Sequence, residues 1–230
     1  MARPGTLAAR GAFITIDGPD GGGKTTQAER LRAHLQAAAI PVHLTREPGG
    51  TWLGERVREV LLARTAAGAT PSDPLTDALL FNAARRQLVR EVIRPAVEAG
   101  TTIVCARFAD STTAYQGYGA GVPLDRLRDL AAAATDGFVP DLTIVLDVPV
   151  ATGLARKSPA DVTRFEAEFD IAFHERVREG FLAIAVAEPE RVVVVDATRR
   201  REEVAAEIAT IVDARLGRSE PAAPEMRIIR

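Results

Sequence analysis

The stretch "GPDGGGKTT", residues 18–26, is rich in glycine and ends in a lysine and two threonines. It fits the pattern G-x-x-x-x-G-K-[ST] between a predicted strand and a predicted helix. Glycines let backbone N–H groups converge on an anion, and the helix N-terminus adds a favourable dipole. The lysine reaches the outer phosphates, and the Thr25 hydroxyl ligates Mg²⁺. This pattern predicts a nucleoside-triphosphate site built from Gly18, Pro19, Asp20, Gly21, Gly22, Gly23, Lys24, Thr25 and Thr26.

A second stretch, "IVCARFADSTTAYQGYG" at 103–119, begins as an apolar strand and turns polar and aromatic at Arg107. An arginine, hydroxyls, a tyrosine and a glutamine at a strand end are typical of the rim of a binding site. A guanidinium fork suits phosphate better than the point charge of a lysine. Such a rim usually carries an acid as well, but the residue before Arg107 is Ala106.

Strand-like and helix-like segments alternate along the chain and must position these two stretches. Apolar runs predict five buried strands, and amphipathic runs predict helices between them. The strands are expected at 12–17, 41–45, 101–106, 141–147 and 191–196. The helices are expected at about 24–39, 52–64, 75–99, 124–135, 166–187 and 201–216.

This alternation indicates an α/β protein with a mostly parallel sheet that is covered by helices on both faces. Ligands then bind at the carboxyl ends of the strands. Absence of repeats and of an internal Ser/Gly linker predicts one domain over 12–216, with flexible tails at 1–11 and 217–230.

The bulk composition excludes several classes of protein. A formal net charge of -2 argues against a protein that coats nucleic acid or an anionic membrane. A single cysteine, Cys105, excludes an internal disulfide framework, and no apolar stretch approaches the roughly 20 residues that span a bilayer. The first residues lack the apolar core of a signal peptide, so a cytoplasmic protein is expected. The three histidines are scattered and suggest no metal cluster.

The phosphate loop alone does not distinguish a kinase from a GTPase, a motor or a switch. No guanine-reading "NKxD" occurs, and 230 residues leave no room for large mechanical additions. A small-molecule kinase is therefore the leading interpretation.

Several strings together resemble the bacterial thymidylate kinase (dTMP kinase) family of nucleoside monophosphate kinases. They cover about residues 12–212 and include "FITIDGPDGGGKTTQ", "TREPGGTWLGERVREVLL", "LLFNAARRQ", "ARFADSTTAYQGYG", "PDLTIVLDVP" and "FHERVREGFLAIA". The resemblance implies a three-layer P-loop kinase fold with a central five-stranded sheet. It also implies ATP-dependent phosphorylation of dTMP to dTDP with Mg²⁺, by a homodimer.

The resemblance assigns the acceptor side. It implies that Phe81 stacks on thymine, with Arg85 on the same helical face at the base edge. Arg107, aided by Arg58, would hold the acceptor phosphate. Thr112 and Gln116 resemble the groups that read the pyrimidine edge, Tyr115 resembles an aromatic wall beside the sugar C2′, and Pro48 shapes the loop along the deoxyribose.

Phosphoryl transfer needs positive charge around the moving group. The phosphate loop has no arginine, so the resemblance implies a lid at about 153–166 that offers Arg156, Lys157 and Arg164. A closing lid also excludes water. Asp20 resembles a carboxylate near the sugar 3′-OH. The catalytic residues are therefore expected to be Lys24, Asp20, Arg107, Arg156 and Arg164.

Ala106 departs from the family pattern, in which an aspartate at this position orders the Mg²⁺ hydration shell. Asp17 or Asp147 is a possible partial substitute. Two alternatives remain: a kinase for another acceptor, and a nucleotide-binding homologue whose phosphoryl transfer is impaired because Ala106 replaces the acid.

Trp52 is expected to pack near the start of its helix.

Overall fold

Five strands form one parallel sheet in the order β2-β3-β1-β4-β5 in the computed structural model, which describes residues 10–158 and 162–217. The predicted tails lie almost wholly outside the described residues, as does 159–161 of the predicted lid. The strands are β1 Phe13–Asp17, β2 Val42–Arg46, β3 Thr102–Ala106, β4 Leu142–Asp147 and β5 Val192–Asp196.

Both faces of the sheet are buried, because the strands are apolar on both sides. Ile14 and Ile16 point toward one helical layer, where Leu31 and Ile208 pack against them. Phe13 points to the opposite face with Ile103 and Leu88. Helices therefore cover both faces, and the predicted three-layer α/β fold is confirmed.

The helices that surround the sheet follow the predicted pattern closely. Two π-helical stretches, π1 Val89–Ile93 and π2 Thr113–Gly119, continue α3 and α5 respectively. The helices among the described residues are α1 Lys24–Ala37, α2 Trp52–Leu62, α3 Pro74–Leu88, α4 Arg94–Glu98, α5 Ala109–Thr112, α6 Leu124–Thr135, α7 Val150–Ala155, α8 Arg164–Glu168, α9 Ile171–Ala187 and α10 Arg201–Arg215.

One expected helix is wrong in detail. The segment predicted as a single helix over 166–187 is divided into α8 and α9, because Asp170 adopts an extended backbone and caps α9. Its carboxylate accepts a hydrogen bond from the backbone N–H of Phe173 at 2.8 Å.

The segment after β3 folds as a helix that the apolar pattern did not predict. Its second half, π2, contains Tyr115 and Gln116. A π-helix is rare and often marks a functional site.

All five strands end at the same edge of the sheet. Ile16 of β1 and Arg46 of β2 both pair with Ala106 of β3, and Asp147 of β4 pairs with Asp196 of β5. In a parallel α/β sheet this carboxyl edge is the place where ligands bind. No described helix has the length and apolar character needed to cross a membrane.

Candidate active site

A cavity of about 600 Å³ opens at the carboxyl edge of the sheet, and the phosphate loop lies on its wall. Nearly all of the residues that the sequence predicted for the site line this cavity. They are Asp20, Gly21, Gly22, Gly23, Lys24, Thr25, Thr26, Pro48, Arg58, Phe81, Arg85, Arg107, Thr112, Tyr115, Gln116 and Arg156. Gly18, Pro19 and Arg164 are the predicted residues that do not line it.

The phosphate loop is shaped for an anion. Gly21 and Gly23 have φ values of 73° and 88°, which favour glycine. Gly23 caps α1 without a side-chain hydrogen bond, and the first turn of α1 contains no acid. The first N–H groups of this helix are therefore available to phosphate oxygens.

Lys24 is buried, and within the described part of the chain its hydrogen-bond partners are backbone oxygens. Its Nζ donates to the carbonyl oxygens of Gly18 at 2.9 Å and Pro19 at 2.7 Å, so these two residues hold the lysine rather than face the cavity. Burial, followed by the nearby Arg107, lowers the pKa of Lys24 to about 7. A bound phosphate would favour its charged form.

Asp20 and Arg107 form an ion pair on the cavity wall. Arg107 Nη2 donates to Asp20 Oδ1 at 2.5 Å, and the Tyr115 hydroxyl donates to Asp20 Oδ2 at 2.7 Å. Burial alone would raise the pKa of Asp20, but Arg107, then Lys24 and Lys157, outweigh it and hold this pKa below its usual range. Positive groups from three segments therefore converge on one carboxylate.

Arg107 has a φ of 70°, in the left-handed region that non-glycine residues rarely adopt. Backbone strain of this kind persists where the surrounding structure enforces it and is often found at functional sites. Here the side chain is fixed by Asp20 and by Ser111, whose Oγ lies 3.3 Å from Arg107 Nη1.

The far end of the cavity has an aromatic wall and a buried polar network. Phe81 and Arg85 are four residues apart on α3, and both line the cavity. Arg85 Nε donates to Glu47 Oε2 at 2.9 Å, and its Nη2 donates to Thr112 Oγ1 at 3.0 Å. The carboxamide oxygen of Gln116 has no partner among the described residues. This end therefore offers both donors and an acceptor to a ligand.

Two of the three basic residues of the predicted lid line the cavity, and the third does not. Arg156 lines the cavity, and its Nη1 donates to the carbonyl oxygen of Ala197 at 2.9 Å. Lys157 also lines the cavity and is ion-paired with Glu166.

Arg164 does not line the cavity in this structure, contrary to the expectation that it offers positive charge there. Its Nε donates to the carbonyl oxygen of Leu61 at 2.6 Å, and its Nη2 donates to the carboxylate of Asp77 at 2.5 Å. A buried arginine with these partners anchors α8 to α2 and α3.

Neither proposed substitute for an acid at Ala106 reaches the cavity. The side chain of Ala106 packs beside Ile16 and Ala28 on the α1 side of the sheet. Asp17 is on the other side, where its Oδ1 accepts from Ser111 Oγ at 2.5 Å. Asp147 is bound by Arg178 Nε and Nη2 at 2.7 and 2.8 Å. The expectation that Asp17 or Asp147 substitutes for the acid is wrong for this arrangement of side chains.

Sequence reasoning missed one wall of the cavity. Ala197, Val204 and the arginines at 199–201 also line it. Their position in the sequence could have indicated this, since residues 197–201 follow β5 and ligands bind at the carboxyl edge of the sheet. Glu47 was also missed as a site residue, although it belongs to the quoted string "TREPGG".

The parallel sheet and the phosphate loop at the turn from β1 to α1 define a P-loop kinase fold, with one cavity that joins the loop to a second, aromatic end. A family model described as thymidylate kinase matches residues 16–208. The chain belongs to the thymidylate kinase family.

Individual relatives support this assignment over most of the chain. The thymidylate kinase of Deinococcus radiodurans is 50% identical over 207 residues, which are 90% of this chain and 98% of that protein. The thymidylate kinase of Thermomicrobium roseum is 49% identical over 91% of this chain and 99% of that protein. The crystal structure of thymidylate kinase from Ehrlichia chaffeensis has a TM-score of 0.70 at 35% identity, and the match covers 88% of this chain and 99% of that one.

Proposed function

We propose that this protein transfers a phosphoryl group from ATP to dTMP to form dTDP. The observation that carries the proposal is the pairing of Arg107 with Asp20 of the phosphate loop inside one cavity. Lys24 lies on the same loop, so a donor phosphate there and an acceptor phosphate at Arg107 would be neighbours. Relatives named thymidylate kinase over nearly their full length support the choice of substrates.

The side chains act mainly by positioning and by positive charge. Lys24 and the N-terminus of α1 bind the donor phosphates, Arg107 with Arg58 holds the acceptor phosphate, and Arg156 adds charge from the predicted lid. No general base is needed, because the acceptor phosphate is already anionic. Asp20 keeps Arg107 oriented until the acceptor phosphate binds.

The nucleoside end selects the acceptor. Phe81 stacks on the base, while Arg85, Thr112 and Gln116 read its polar edge. Tyr115 packs edge-on against Phe165, at 5.8 Å between ring centroids. A ring fixed in this way beside the sugar would disfavour a 2′-hydroxyl sterically.

We propose Mg²⁺ as the cofactor, held by the Thr25 hydroxyl together with the phosphates of ATP and water. Thr25 is exposed in the cavity at the start of α1, which suits this role. Among the described residues no group of three or more His, Cys, Asp or Glu could hold a metal by itself, and Mg²⁺ in phosphate sites usually keeps several waters. When bound, the ion neutralises charge on the phosphates.

A coupled ADP-release assay with ATP tests the function across dTMP, dUMP, UMP and CMP. We expect robust turnover of dTMP and little turnover of the ribonucleotides. Negligible turnover of dTMP beside robust turnover of another acceptor would replace this proposal with that of a kinase for a different acceptor. Among these possibilities the names of the relatives favour dTMP.

We further propose that residues 12–216 act as one domain and that the protein is a homodimer. Exposed apolar side chains on α2 support the dimer: Trp52, expected to be packed, is 80% exposed, and Val60 is 66% exposed. Leu79 on the adjacent helix α3 is also exposed. Exposed apolar side chains grouped on neighbouring helices commonly mark an interface.

A further inference from the structure

Arg85 is held unusually firmly for a residue that is expected to touch a ligand. Its side chain is only 1% exposed, and its guanidinium lies over the ring of Phe108 at 5.2 Å. Nε donates to Glu47 Oε2 at 2.9 Å, and Nη2 lies 2.8 Å from the same oxygen. Nη2 also donates to Thr112, and Nη1 donates to Asn82 Oδ1 at 2.8 Å.

These contacts leave few donors for a ligand. A guanidinium carries five N–H groups, and one N–H of Nη1 has no protein partner among the described residues. Thr112 accepts a hydrogen bond from Arg85, so its own hydroxyl hydrogen remains free to donate. The remaining groups of Arg85 and Thr112 are both donors, which suit a keto oxygen and do not suit an amino group; the open acceptor at this end belongs to Gln116 Oε1.

Glu47 is the charged partner in this network, and its burial is costly. Its side chain is 4% exposed, and Oε1 has no partner among the described residues. The backbone N–H of Glu47 donates to the carbonyl oxygen of Ala106 at 3.0 Å, so the residue is fixed to the end of β3. A buried ion pair is weak evidence for stability and is often replaceable by apolar residues. Its presence at the cavity wall therefore indicates a role in the site.

We propose that Glu47 is a positioning residue that determines base selection by fixing Arg85. The inference rests on the proposed function, since it assumes that this end of the cavity binds a pyrimidine nucleotide. With Asn82 and Thr112, Glu47 occupies the inner N–H groups of Arg85 and leaves one donor for the 4-keto oxygen of the base. A 4-amino pyrimidine such as cytosine then places a donor against a donor and is rejected.

Steady-state kinetics of the wild type, Glu47→Gln, Glu47→Ala, Arg85→Ala and the double variant Glu47→Ala/Arg85→Ala test the proposal. We expect Glu47→Ala to raise the KM for dTMP by about 10-fold or more, to lower the preference for dTMP over dCMP, and to leave the KM for ATP within about 2-fold. Glu47→Gln should have a smaller effect, because its amide oxygen still accepts from Arg85. The double variant should match Arg85→Ala alone, because Glu47 acts through Arg85.

Asp141→Asn is the matched control, since it also turns an acid into an amide. Asp141 accepts from the backbone N–H of Phe13 at 2.8 Å, at the opposite end of the sheet, and its replacement should not change the KM for dTMP. If Glu47→Ala does not fold, Glu47→Gln provides the test, because its KM for dTMP should still rise while its KM for ATP stays unchanged.

Different results overturn different claims. Suppose that the wild type phosphorylates dTMP. The role of Glu47 alone is then refuted if the effects of the two single variants multiply in the double variant. It is also refuted if the KM for dTMP is unchanged in both Glu47 variants. A wild type that does not use dTMP would refute the proposed function, and this inference with it.

Discussion

At the scale of single residues, Asp17 is a buried acid next to the site. It ends β1, is fully buried, and has one carboxylate oxygen without a partner among the described residues. Burial raises its pKa to about 6, and the neighbouring Asp110 adds to this effect. Ser111, Arg107 and Lys24 oppose the shift without cancelling it.

This raised pKa predicts how stability depends on pH. The folded protein binds the proton of Asp17 more tightly than the unfolded chain, so this contribution is fully present below about pH 4 and is lost as pH rises through about 6. We expect Asp17→Asn to stabilise the ligand-free protein above pH 6 by on the order of 1–3 kcal/mol, with the gain shrinking toward pH 4. Urea unfolding of both proteins across this range measures the difference. A difference independent of pH would contradict the burial argument.

Ala106 leads to a prediction about magnesium. Its side chain points toward α1, which begins with Lys24 and Thr25 and has no acid in its first turn. We expect Ala106→Asp to lower the Mg²⁺ concentration for half-maximal activity by about 10-fold, as outer-shell acids do at other metal sites. Calorimetry of ADP binding with and without Mg²⁺ provides a second readout.

Ala106→Asn is the control for that experiment, because it adds similar volume without a charge. Identical Mg²⁺ curves for the wild type and Ala106→Asp would mean that the acid is not missed.

At the scale of residues, the sequence predicted which side chains line the cavity far better than what they contact. Motif spacing identified Lys24, the polar end of β3 indicated Arg107, and the family resemblance supplied Phe81. Arg164 lies in a matching string, yet it binds Leu61 and Asp77 instead of facing the cavity. Such partners are distant in sequence, and only tertiary packing reveals them.

At the scale of elements, helix α7 supports the phosphate loop through a close backbone contact. A Cβ added at Gly153 of α7 would lie 2.2 Å from the carbonyl oxygen of Asp20, and one added at Gly21 would lie 1.8 Å from the carbonyl oxygen of Gly153. The two backbones can approach so closely only because both positions are glycine.

This contact requires glycine at a helical position where alanine would ordinarily be more stable. Helix propensity alone predicts that Gly153→Ala is stabilising by about 1 kcal/mol. The collision with Asp20 instead predicts a displaced phosphate loop and a fall in kcat/KM for ATP of about 10- to 100-fold. Thr152→Ala, at an exposed neighbouring position in α7, is the control that changes propensity alone. An unchanged KM for ATP in Gly153→Ala would show that the loop tolerates the extra methyl group.

Elements were predictable where periodicity was strong and unpredictable where it was absent. All five strands were found within a residue or two because they are continuous apolar runs. The helical segment after β3 was missed, since "FADSTTAYQGYG" is polar and glycine-containing and its π-helical half follows no α-helical period. The site therefore depends on an element that hydrophobic patterning does not predict.

At the scale of the whole molecule, one face of α2 carries exposed apolar side chains that no described residue covers. On α2 the buried positions are Gly54 and Leu61, whereas Leu53 and Val60 are outside and seven residues apart, so they share a face. Trp52 and, on α3, Leu79 extend this apolar surface. Since α2 packs against α3, a second copy of the chain would cover both helices at once.

The dimer prediction is tested by placing a charge on this face. A carboxylate that becomes buried without a partner is strongly unfavourable, so Val60→Glu should dissociate the proposed dimer into monomers with little change in the unfolding temperature of the subunit. Sedimentation velocity over a range of concentrations measures the outcome. Val186→Glu, at a valine near the end of α9 that is still more exposed than Val60, is the matched control and should remain dimeric. A wild type that sediments as a monomer, or a Val186→Glu variant that dissociates while Val60→Glu does not, would move the interface away from α2.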